Sequence, residues 1–144
     1  MAHEDAGNYA GKHPEGGHLD PALAAALRRL TQNDRITCAA AHQTAAAFAV
    51  PPSQVGKAVD LLETRIIECQ LGLFGYPPDR RIVKPLEDVP EELRAHIKRH
   101  ATDGRIGCAS CWSIAATLGV ERLTVSCACE ALGIKVKRCQ LGTF

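Results

Sequence analysis

Seven cysteines are the residues of this chain best suited to chemistry. Cys108 and Cys111 form a Cys-x-x-Cys at the predicted start of a helix, a spacing that presents two thiolates on one side. Pairing of the flanking segments would bring in Cys139, and Cys127, Cys129 or a histidine would complete a fourth position. A set such as Cys108, Cys111, Cys139 and Cys127 suits zinc or an iron–sulfur cluster. Two other readings of the same residues stay open: small apolar packing groups, and reversibly oxidised thiols. An odd number of cysteines and a polar N-terminus without an apolar export segment predict a reducing, cytoplasmic setting. No Ser-His-Asp set, phosphate loop, dinucleotide fingerprint or paired-carboxylate cleft is present, so no enzyme is expected.

These residues sit in a duplicated frame. Arg35 to Phe74 aligns without a gap on Arg105 to Phe144 at an offset of 70 residues, with 15 identities over 40 positions. Such a match reads as a repeated structural unit. Each copy opens with an amphipathic helix. Asp20-Pro21 starts the first, as cap and first helical residue, with Leu23, Leu27 and Leu30 at helical spacing; Pro90-Glu91-Glu92-Leu93 starts the second. The expected organisation is a polar leader over 1–18, with His3, His13 and His18, then repeat 1 over 19–76, a proline-bearing linker over 77–88, and repeat 2 over 89–144. No apolar run is long enough to cross a membrane.

The centre of the second copy carries the clearest pattern. With Gly119 as the turn of a helix-turn-helix, the small residue required where the helices cross is Ala115. The apolar positions become Ile114, Leu118, Val120, Val125 and Ala128. The first copy complies at Ala45, Phe48, Ala49, Val50, Val55 and Ala58, although Thr44 is a poor fit to its apolar position and Ala49 is not glycine. Short apolar segments before and after the helix pair, at Arg35–Cys38 and Ile66–Gly72 and their partners, predict strands that pair. The expected fold is mainly α, with two tandem winged-helix repeats and short β wings.

The segment Ala115 to Leu141 resembles the N-terminal DNA-binding part of LysR-type and related winged-helix regulators, through Ala115, Leu118-Gly119-Val120, Val125-Ser126, Ala128, Leu132-Gly133 and Val136. The resemblance is confined to the repeats and includes no effector domain of that family. It implies recognition helices at 52–60 and 122–130. Their base-reading candidates are Ser53, Gln54 and Lys57 in the first copy, and Arg122, Thr124 and Ser126 in the second. Lys135, Lys137 and Arg138 would form a phosphate-binding wing. The implied partner is double-stranded DNA, read by one or both copies, and the implied role is transcriptional regulation. A non-enzymatic protein-interaction module, binding a protein partner or forming a homodimer, is the alternative. Charge leans toward the second copy: residues 89–144 hold eight Lys/Arg against five Asp/Glu, a net +3, whereas residues 19–76 hold five of each. Asp60 and Glu130, on the two recognition helices, oppose phosphate binding.

Overall fold

The structure is a computed structural model and describes residues 19–77 and 80–144. The polar leader expected over 1–18 lies outside the described residues. The chain is mainly α: about half of the described residues lie in six helices, joined by four strands of three residues each. None of the helices is long and apolar enough to cross a membrane.

The elements follow the offset of the repeat. Repeat 1 runs α1 (Pro21–Leu30), β1 (Arg35–Thr37), α2 (Cys38–Phe48), α3 (Pro52–Leu61) and β2 (Arg65–Ile67). Repeat 2 places α4 (Glu91–His100), β3 (Arg105–Gly107), α5 (Cys108–Leu118), α6 (Arg122–Ala131) and β4 (Lys135–Lys137) 70 residues further on. Local chemistry accounts for the boundaries. The Asp20 side chain accepts from the Ala22 N–H at 3.1 Å and Pro21 occupies the first turn of α1. In α4, Glu91 and Glu92 lie at the positive end of the helix dipole, and Lys98, Arg99 and His100 at the negative end.

A left-handed residue ends the first helix of each pair: Gly119 at φ 67° after α5, and Ala49 at φ 54° after α2. Glycine adopts that conformation without penalty, whereas alanine is strained there by about 1 kcal/mol. The turn position therefore does the same work in both repeats, although only the second has the favourable residue. Behind it, Ile114, Ala115, Val125 and Ala128 are buried as the pattern requires, but Val120 is 36% exposed and contributes little to the core.

The strand pairing differs from a hairpin wing. β1 pairs with β2, and β3 with β4, in parallel; Arg35 faces Arg65 and Arg105 faces Lys135. The two helices between the strands return the chain to the start of the first strand, so the second runs beside it in the same direction. Among the described residues antiparallel pairing is limited to single bridges, Gln32 with Arg35, Tyr76 with Arg80 and Thr102 with Arg105. In the linker Ile82 and Val83 form no strand; the Ile82 N–H donates to the Gly72 carbonyl at 2.8 Å and Val83 is buried.

Two compact units emerge, and their limits cut across the repeats. The first holds residues up to Cys69 together with Gln140–Phe144; the second holds Gln70–Cys139. Each unit is thus completed by the five-residue tail that belongs, in sequence, to the other repeat. In the first unit, Gly56 on α3 lies so close to the Leu141 carbonyl that a Cβ at this position would overlap it. In the second unit the equivalent residue on α6 is Ser126, whose hydroxyl donates to the Leu71 carbonyl. Leu71 and Leu141 are almost wholly buried.

Substituting these two helix positions tests the closure. Gly56→Ala forces the Leu141 backbone outward and should cost about 1–3 kcal/mol. Ser126→Ala keeps the packing, removes one hydrogen bond, and should cost about 1 kcal/mol. Urea unfolding of both variants measures the order; a neutral Gly56→Ala would show that the tail does not rest on α3.

Candidate nucleic-acid interface

The expected reading face of α6 is already occupied. Arg122, Leu123, Ser126, Cys127 and Glu130 form one stripe of the helix, and Gln70, Leu71, Gly72, Arg81 and Leu86 of the same unit meet it. Arg122 donates to the Gln70 side-chain oxygen at 3.1 Å, and its guanidinium stacks over the Trp112 ring at 3.6 Å from the centroid. Leu123 lies against Gly72. Ser126 is 2% exposed and donates to the carbonyls of Leu71 and Leu123. The Cys127 carbonyl accepts from the Leu86 N–H at 3.3 Å, and Glu130 pairs with Arg81 at 3.0 Å.

Of the three base-reading candidates on α6, Ser126 is therefore removed by burial. Arg122 is engaged by Gln70 and Trp112, and Thr124 is half-buried. On α3 the position is different. Ser53 and Gln54 are exposed in its first turn and Lys57 is half-buried one turn later. Asp60, expected to repel phosphate, is buried.

The three strand cations lie at the surface. Lys135, Lys137 and Arg138 are all exposed. Alternation along the ladder sends Ile106 and Val136 one way and Arg105, Lys135 and Lys137 the other. Like charges on neighbouring strands repel, so this face favours an anion. Beside it lies a surface cleft of about 410 Å³, lined by His100, Arg105, Lys137 and Arg138 together with Thr102 and Ser110, and by no carboxylate. His100 and Arg105 were not among the residues singled out from the sequence. The offset of 70 carries a signal for them and for their neighbours: Leu30 becomes His100, Ile67 becomes Lys137 and Glu68 becomes Arg138.

The four-thiol set is not assembled. Cys127 and Cys129 are two residues apart on α6 and so point in nearly opposite directions. Cys129 faces the core, where its thiol meets that of Cys111, while Cys127 and Cys139 remain partly exposed. Among the described residues no group of three or more His, Cys, Asp or Glu is placed to hold a metal ion. Zinc or an iron–sulfur cluster therefore finds no ligand set among them. The hydrogen bond with Cys129, followed by burial, pushes the Cys111 thiol well above the ordinary thiol range. Buried neutral thiols of this kind are packing groups of low reactivity.

No protein-family model, curated protein or solved structure matches the chain.

Accessibility sets the expected thiol chemistry. In the native protein Cys127 and Cys139 should react rapidly with a thiol reagent such as Ellman's, while Cys38, Cys69, Cys108, Cys111 and Cys129 should react only on unfolding. Rapid native labelling of Cys111, mapped by mass spectrometry, would contradict the packing of α5 on α6.

Proposed function

We propose that the protein is a DNA-associated protein built from two helix-turn-helix units of the winged-helix kind, a parallel strand pair taking the place of the hairpin wing. The reading rests on one observation above the others: the exposed cationic face of β3 and β4, with the carboxylate-free cleft beside it. Polyanion backbones bind to such surfaces through Lys and Arg, with release of counterions.

The covered stripe of α6 shapes this reading. A recognition helix met by its own chain contributes little to base readout, so the second unit acts through phosphates. Phosphate contacts position a duplex without identifying its sequence. Base contacts fall to Ser53 and Gln54 on the exposed first turn of α3; Gln is suited to adenine. The proposed activity is accordingly salt-sensitive and largely tolerant of sequence, as expected of an accessory DNA protein or a weakly selective regulator.

Fluorescence anisotropy on a labelled random-sequence duplex tests the proposal. Affinity should fall linearly with the logarithm of salt concentration, and Lys137→Ala with Arg138→Ala should reduce that slope by about two. Gln54→Ala should leave random-sequence affinity unchanged. Absence of salt-sensitive binding at low ionic strength would eliminate the DNA reading.

A further inference from the structure

The two repeats provide an internal comparison at the cleft. In the first unit Thr37 caps α2, its hydroxyl accepting from the Ala40 N–H at 3.0 Å. At the equivalent place in the second unit stands Gly107, and α5 has no side-chain cap. Backbone conformation does not require glycine here. Gly107 has φ −82° and ψ 154°, which any residue adopts, and a Cβ would meet nothing closer than the Lys137 carbonyl at 3.9 Å. The cap is absent where it would fit.

Around this opening the side chains have changed as well. Leu30, Ala40, Ile67 and Glu68 of the first repeat correspond to His100, Ser110, Lys137 and Arg138. An apolar and acidic surface has become a basic, hydroxyl-bearing one, and Arg105 is retained from Arg35. The Cys108 N–H is used by the Arg138 carbonyl at 3.3 Å, leaving Ala109 and Ser110 of the same first turn of α5 to face the cleft.

The geometry points to a phosphate seat: the cleft of the second unit binds one tetrahedral phosphate group between the guanidinium and ammonium groups of Arg105, Lys137 and Arg138 and the backbone N–H groups of Ala109 and Ser110. A helix N-terminus supplies donors and a favourable dipole, and the cations supply charge-assisted hydrogen bonds. The phosphate stands in for the hydroxyl that caps the sister helix. For its natural ligand the inference rests on the DNA reading, in which the group is a backbone phosphate; its chemistry would also fit a small phosphate-bearing molecule.

The test is a nitrogen-15 NMR titration of the full chain with inorganic phosphate, against chloride at matched ionic strength, beside duplex binding by anisotropy. Phosphate should shift the Ala109 and Ser110 amides, and chloride should not. Gly107→Thr restores the cap, so it should raise thermal stability while weakening phosphate binding by about tenfold, the worth of a charge-assisted hydrogen bond. Lys137→Ile with Arg138→Glu, which installs the first repeat's residues, should weaken it likewise and serves if Gly107→Thr does not fold. Equal shifts with phosphate and chloride, or undiminished phosphate binding by the folded variants, would overturn the seat. Phosphate binding without duplex binding keeps the seat and assigns it to a small ligand, removing the DNA reading. Duplex binding without a phosphate-specific shift removes the seat and leaves that reading in place.

Discussion

The contact of a leucine carbonyl with one position of a helix governs how this chain is arranged. Leu141 reaches Gly56 in one unit and Leu71 reaches Ser126 in the other, at equivalent places in the repeat. One site is solved by removing a side chain and the other by adding a donor. In both, a tail of sequence Gln-Leu-Gly closes a helix pair that its own repeat does not contain. Burying Leu71 and Leu141 in this way contributes about 1.5–3 kcal/mol each relative to exposure, a substantial share for units of this size. The tail also sets what remains available on the surface, because whatever it covers cannot meet a partner.

On the second unit that covering decides the chemistry. Gln70, Leu71, Gly72, Arg81 and Leu86 cover the outer stripe of α6, so the proposed phosphate contacts fall on the strand pair and the end of α4. There His100, Lys137 and Arg138 replace Leu30, Ile67 and Glu68, and α5 has no side-chain cap where Thr37 caps α2. Core positions such as Ile36 and Ile106, or Val55 and Val125, are kept buried in both units. Duplication has preserved the packing and differentiated the surface, with the first unit retaining an ordinary capped helix and the second presenting an anion-ready edge.

Much of the scaffold was legible from residues alone. The offset of 70, the cap at Asp20, the helix start at Pro90, the turn at Gly119 and the burial of Ile114, Ala115, Val125 and Ala128 all follow local rules. Three features did not follow from them. Strand direction depends on where two helices return the chain, which periodicity does not report. Tail exchange is invisible because Gln70-Leu71-Gly72 and Gln140-Leu141-Gly142 are identical, so either copy fits either unit. The fate of Ser126 and the pairing of Cys111 with Cys129 rather than Cys127 depend on which face of α6 meets the core and which meets the tail. Helical spacing narrows that choice, but only the packing resolves it.

The exchanged tails also order events during synthesis. Domains ordinarily become complete from the N-terminal end as the chain emerges. Here the unit that begins first waits for Gln140–Phe144, whereas the second has all its residues once Cys139 is made. The earlier-starting unit is therefore finished second, and until then α3 lacks the tail that closes it in the folded protein. In that interval Gly56 is open to the identical Gln70-Leu71-Gly72 of its own repeat, so this surface is a natural point for early misassembly. The repeat that is translated first is the one whose folding depends on the end of the other.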